Sequence, residues 1–216
     1  MAREFAGRIS AYEIWNEPLL SNSILGYQDG SAEHYVDLLR VTYAEIRAAD
    51  PTATVIALGG SDVYAGGDQD RLDLMRTFSS SLVAMGARQY ADAISLHAYP
   101  WGRWDGSVWT SYADEVAFQE QTWAKPVWIT ETGQRATDGA TQTDYMAAAY
   151  STFVQAGIQH IFWFSITDQP DGSFGLRDRP VEAALRAFAL GQAGGGDARR
   201  GAAGGVVTPE RTPLRA

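Results

Sequence analysis

The sequence predicts an α/β protein of repeated βα units, on three observations. Short apolar runs alternate with amphipathic stretches of helical period along most of the 216 residues. The runs are apolar nearly throughout, as in parallel sheets with both faces covered. Their starts recur roughly every 40 residues, which suits one strand, one helix and their connections.

The first strand is predicted over Ser10–Trp15, directly after a helix-end-like stretch from Arg3 to Arg8. A helix follows from Glu33 to Ala48, where Val36, Leu39, Tyr43 and Ile46 recur at spacings of three and four. Asp50-Pro51 ends it, because proline cannot continue a helix, and the second strand is Thr54–Leu58. A helix from about Asp70 to Met85 leads to the third strand, Ala93–Leu96. The next helix, Ser111–Thr122, meets the breaker Lys125-Pro126 before the fourth strand, Val127–Thr130. Helices over Thr143–Ala156 and Val181–Leu190 flank the fifth strand, His160–Phe164. Five such units fall short of a closed (β/α)8 TIM barrel, which needs eight strands and about 250 residues. The expectation is an incomplete barrel of about five βα units over residues 1–190, lacking the first three. From Gly191 onward, a Gly-Gly-Gly and a Gly-Gly followed by two prolines read as a flexible tail, residues 191–216.

Composition narrows the partners. With 17 basic against 26 acidic residues the net charge is −9, which disfavours nucleic acid because phosphate binding needs clustered cations. No run of 18 apolar residues is present, so no membrane span is expected. Met1 to Phe5 carries no apolar signal region, and a cytoplasmic protein is expected. There is no cysteine, hence no disulfide framework or thiolate chemistry. No His-x-x-x-His pair or EF-hand spacing occurs, so neither metal nor other cofactor is expected. Gly59-Gly60-Ser61 lacks the lysine of a phosphate loop and reads as a strand-to-loop turn. No Gly-x-Ser-x-Gly nucleophile elbow is present. The 7 Trp, 10 Tyr and 8 Phe offer flat faces that stack on sugars, or that fill cores.

Two glutamates end strand-like runs: Glu17 in Tyr12-Glu13-Ile14-Trp15-Asn16-Glu17-Pro18, and Glu131 in Val127-Trp128-Ile129-Thr130-Glu131-Thr132-Gly133. Parallel α/β sheets place their chemistry at the carboxyl ends of strands. Two carboxylates in one cleft are the minimum equipment for hydrolysing a glycosidic bond. A general acid must hold its proton near neutral pH, which needs partial burial or a negative neighbour. Trp15 and Pro18 offer Glu17 apolar walls, and Asn16 could hold the hydroxyl beside the reacting carbon. His97 and Tyr99 end the third run in Leu96-His97-Ala98-Tyr99-Pro100, where a tyrosine hydroxyl could orient a carboxylate and favour its charge. Trp163 falls where the last strand would meet the cleft floor, and Trp101 and Trp104 follow Tyr99 as a candidate outer wall. His34, His160, Asp168 and Asp171 read as structural or turn residues.

These segments resemble the clan A glycoside hydrolases, most closely the family 39 and family 5 types. The Glu17 heptapeptide is similar to their fourth-strand acid/base motif, and Trp128 to Gly133 to their seventh-strand nucleophile motif. Asp92 to Pro100 looks like the sixth-strand segment, and Trp163 like the eighth-strand tryptophan that floors a sugar subsite. Order and spacing agree over roughly residues 1–190. The resemblance implies a retaining β-glycosidase with Glu17 as acid/base, Glu131 as nucleophile and a carbohydrate substrate. It also implies that the five units correspond to strands 4–8 of the barrel. A partial sheet would expose an apolar edge, so a homo-oligomer covering the missing-strand side is expected. Two other readings stand beside the enzyme: a catalytically impaired carbohydrate-binding remnant, and a hydrolase of other esters using the open cleft.

Overall fold

The computed structural model describes residues 1–19, 31–65, 69–100, 110–136, 139–169 and 173–200. Five parallel strands and five α-helices alternate: β1 (Ala11–Glu13), α1 (Ser31–Ala49), β2 (Thr54–Ala65), α2 (Gln69–Ala84), β3 (Ala93–Pro100), α3 (Thr110–Trp123), β4 (Val127–Thr132), α4 (Gly139–Gln155), β5 (Ile161–Trp163) and α5 (Pro180–Arg200). A 3-10 turn, Ala87–Tyr90, links α2 to β3. Each strand pairs in parallel with the next, in the order β1-β2-β3-β4-β5. This is five units of a (β/α)8 barrel, curled into part of the closed ring. Among the described residues, no helix is long and apolar enough to cross a membrane.

The helices cover the convex face. Val55 and Ala57 of β2, Ile94 and Leu96 of β3 and Ile129 of β4 pack there against Tyr35 and Leu39 of α1, Trp123 of α3 and Phe153 of α4, all fully or nearly fully buried. Burying one such large side chain contributes about 2 kcal/mol relative to leaving it in water. A polar network stitches α2 to α3 inside this layer. The fully buried Glu115 carboxylate accepts from Arg76 Nε and Gln119 Nε2, both at 2.7 Å. Ser79 completes it, donating to Gln119 and accepting from the Trp123 indole.

The concave face is different. The sequence reads the strands as apolar throughout, yet β3 carries Ser95, His97 and Tyr99 inward between the outward Ile94, Leu96 and Ala98. The alternation is hidden by the central apolar residues of each run.

Strand lengths also depart from expectation. β2 and β3 run on to Ala65 and Pro100, because each is flanked by a partner on both sides. The outer strands β1 and β5 shrink to three residues each, and among the described residues each has a single partner to define it. α5 begins at Pro180, where a missing N–H costs nothing, and continues past Leu190 to Arg200.

Candidate active site

Glu17, His97, Tyr99 and Glu131 converge at the carboxyl ends of their strands. Two backbone irregularities make room for them. After Glu13 the chain bulges, with Trp15 at φ 71° and Glu17 at φ 46°. Non-glycine residues adopt this left-handed region at a cost of order 1–3 kcal/mol each, and such outliers concentrate where a side chain must be aimed. The Glu17 N–H donates to Gly59 O at 2.6 Å, which fixes the bulge against β2. β2 answers with a bulge of its own: Leu58, Gly59 and Gly60 all have positive φ, and the register against β3 shifts between Ala57 and Ser61. A Cβ at position 60 would lie 1.9 Å from His97 Nε2, so only glycine lets the imidazole occupy its place. Ser95 Oγ accepts from the Gly60 N–H at 2.8 Å and donates to Ala57 O.

The His97 ring is fully buried between the two carboxylates. Its Nδ1 stands 2.9 Å from Glu17 Oε1 and 3.5 Å from Glu131 Oε2. Both neighbours are acceptors, so Nδ1 is assigned the proton. Burial opposes the charged imidazolium. The hydrogen bond to Glu17 and the charges of Glu131, Glu17 and Glu13 outweigh it and raise the His97 pKa above its ordinary value.

Tyr99 donates its hydroxyl to Glu131 Oε2 at 2.7 Å, and burial next to that charge pushes the phenol pKa up. Burial is also the largest influence on Glu131 and lifts its pKa above the ordinary carboxylate value. His97 and the Tyr99 hydroxyl act in the opposite direction, while Glu17 and Glu13 add to the rise. The Glu17 and Glu131 side chains are 19% and 25% exposed, open enough for a substrate to reach.

One donor atom from each of Glu17, His97 and Glu131 lies within 4.8 Å of the other two. The nearest carboxylate oxygens of Glu17 and Glu131 are therefore no farther apart than that. This trio also has the donor types to approach a cation, although hydrogen bonds from His97 and Tyr99 already occupy oxygens of both glutamates.

Other residues singled out in the sequence fall differently. Asn16 is exposed beside Glu17. Trp101 and Trp104 lie outside the described residues. Trp163 is a correction. Its partner in the ladder is Thr132, whose hydroxyl contacts Tyr145 of α4, and the Trp163 ring meets Tyr145 edge-on with centroids 6.0 Å apart. The indole N–H donates to Phe174 O. Side chains alternate across a strand, so Trp163 faces the helices and the next residue, Phe164, faces the cleft. Phe164 and Phe174 stand edge-on to Tyr99, with centroids 6.5 and 5.8 Å from it. Sequence reasoning passed over both, together with Gly60 and Glu13; only the glycine pair offered a signal, and it reads equally as a turn.

Parallel strands with helices on the convex side define a protein of the TIM-barrel class, with two carboxylates paired at the strands' carboxyl ends. The chain belongs to glycosyl hydrolase family 5: the family model described as Cellulase (glycosyl hydrolase family 5) matches residues 2–169. Solved structures share the fold at low identity. A family 39 glycoside hydrolase from Bacteroides cellulosilyticus WH2 is 22% identical, with TM-score 0.60, over 88% of this chain and 42% of its own. The endo-1,4-beta-D-mannanase of Thermotoga petrophila RKU-1 is 18% identical, with TM-score 0.60, over 85% of this chain and 57% of its own. Xylanase 10B from Thermotoga maritima is 15% identical, with TM-score 0.60, over 90% of this chain and 64% of its own. This chain thus spans about half the length of the structures it resembles. Among curated proteins no match was found.

Proposed function

We propose that this chain is the catalytic portion of a retaining β-glycosidase acting on gluco-, xylo- or manno-configured carbohydrate. The observation that carries the reading is the approach of Glu17 and Glu131 to within 4.8 Å, with Tyr99 on one and His97 between them. Retaining enzymes hold their two carboxyl groups about 5 to 5.5 Å apart, and inverting enzymes 6.5 to 9.5 Å, leaving space for a water. The shorter class fits.

In this mechanism Glu131 attacks the anomeric carbon while Glu17 protonates the leaving oxygen. A glycosyl ester on Glu131 forms and the aglycone departs. Glu17, now a carboxylate, removes a proton from water, which attacks the same carbon and releases the sugar with its configuration kept. Tyr99 holds the nucleophilic oxygen through one hydrogen bond, which favours the ionised form before attack. Asn16, next to the acid/base in the chain, would meet the adjacent sugar hydroxyl. Tyr99, Phe164 and Phe174, rather than Trp163, supply the aromatic surface for a sugar ring. The family match and the mannanase and xylanase among the similar structures support a β-linked polysaccharide or its fragments as substrate.

The test is release of nitrophenol from aryl β-glycosides of the three configurations. Glu131→Ala and Glu17→Ala should each lower kcat by at least about a thousandfold, a loss of roughly 4 kcal/mol of transition-state stabilisation. Product analysed at early times should carry the β configuration. Wild-type rates in both variants, or an α product, would end the assignment.

We also propose self-association of the chain over its missing-strand side, between the outer strands β1 and β5. Among the described residues, β1 and β5 each pair with one strand only, and Phe162 beside the open face is 50% exposed.

A further inference from the structure

Glu13 and Thr130 meet where a flat sheet would keep them apart. Glu13 ends β1 and Thr130 lies in β4, with β2 and β3 between them in the sheet. Neighbouring strands lie about 4.8 Å apart, so three intervals in a flat sheet separate β1 from β4 by about 14 Å. Yet the Thr130 hydroxyl donates to Glu13 Oε1 at 2.8 Å. The contact crosses the concave face as a chord across the arc of the curled sheet.

Its position relative to the site is specific. Glu13 precedes Glu17 by one bulged turn on the same segment, and Thr130 is the residue immediately before Glu131. The chord therefore joins the two backbone segments that carry the paired carboxylates. We propose that Glu13 is a positioning residue: through Thr130 it ties β1 to β4 and sets the gap between Glu17 and Glu131. This inference rests on the glycosidase reading for its catalytic consequence, but the tie itself is a structural claim that can be tested without turnover.

The physical reason is leverage. The gap between Glu17 and Glu131 depends on the curl accumulated over three strand pairings, two of which carry register shifts next to the site. A small change of twist at each pairing adds up across the arc, and a misplacement of about 1 Å can lower a rate a hundredfold. A single hydrogen bond spanning the arc directly removes that accumulated freedom. The Glu13 charge is also felt above it, being among the influences that raise His97 and Glu131.

The experiment uses Glu13→Ala, Glu13→Gln, Thr130→Val, Thr130→Ser and the Glu13→Ala/Thr130→Val double variant, alongside Glu131→Ala. Two readouts are taken: unfolding in urea, and kcat and KM on the best aryl β-glycoside. The tie predicts that residues 13 and 130 are coupled in unfolding, the double variant being no less stable than the worse single one. It further predicts that Thr130→Val and Glu13→Ala lower kcat about 10- to 100-fold with KM changed less than about threefold, and that the two losses do not multiply. Thr130→Ser keeps the donor and Glu13→Gln keeps an acceptor, so both should retain most of the rate. Additive unfolding effects overturn the tie, whether or not the chain turns over substrate. Coupled unfolding with an unchanged kcat in Thr130→Val overturns the positioning role alone. Wild-type rates in Glu131→Ala would instead remove the glycosidase reading, and the unfolding cycle would still decide the tie.

Discussion

At the scale of single residues, the contest that matters is over the Glu131 proton. Burial makes its charge costly, and His97 and Tyr99 offset part of that cost. In the proposed mechanism the free enzyme needs Glu131 ionised, so the acidic limb of kcat/KM follows this group. Tyr99→Phe removes a donor to the carboxylate and leaves burial and the neighbouring negative charges in place. The charged form loses support, its pKa rises further, and the acidic limb should move to higher pH, together with a fall in the plateau rate. A profile that stays in place, or moves to lower pH, would contradict this account of Glu131. The glutamates, His97 and Tyr99 were legible in the sequence because each sits in a short apolar run closed by Pro, Gly or a hydroxylic residue. Trp163 was misplaced because a three-residue strand beside a register shift leaves a run of aromatic residues without a readable phase. One step along the chain exchanges the cleft for the helix layer.

Among the elements, β2 does the most for the site while carrying neither of the paired glutamates. Its bulge at Leu58, Gly59 and Gly60 accepts the Glu17 N–H and opens the space that the His97 ring fills. Gly60→Ala would place a methyl carbon 1.9 Å from Nε2 and would strain a backbone at φ 66°. The ring must then leave its seat between the glutamates or the bulge must relax. The expected outcome is a loss of about 2 kcal/mol or more of stability in urea unfolding, from overpacking and left-handed strain together, with kcat reduced at least tenfold. Gly157→Ala serves as a control: it also has positive φ, but nothing lies within 4 Å of its added carbon, so it should cost stability alone. Equal activity in the two variants would remove the link between β2 and His97. From the sequence, Gly59-Gly60-Ser61 shows only that the backbone needs freedom there. Its reason lies on another strand, 37 residues farther along for His97.

For the molecule as a whole, the outer strands of the sheet, each paired on one side among the described residues, raise a question of assembly. A closed barrel has no edges, whereas here β1 and β5 keep a free side among the described residues. Trp128 and His160 stack with centroids 3.7 Å apart, and Phe162 extends the stack at 6.4 Å from Trp128. Self-association over this surface predicts a mass in solution above that of the 23.5 kDa chain, measured by light scattering across a concentration series. Phe162→Asp should shift that series toward the single chain, because a charge buried in an apolar contact is strongly disfavoured. A monodisperse single chain at all concentrations would refute the association.

Local patterns in the chain suffice for the alternation of strands and helices, the parallel α/β class, and the side chains that stand at the strands' carboxyl ends. These follow from local apolar runs, helical periodicity and proline or glycine breaks, all properties of short windows of chain. The tertiary structure alone decided which of those side chains meet, how close Glu17 comes to Glu131, and that Glu13 reaches Thr130 across two intervening strands. Those distances depend on sheet curl, on bulges in paired strands and on one glycine's missing methyl. Each is a relation between segments far apart in the chain, and no window of sequence contains both partners.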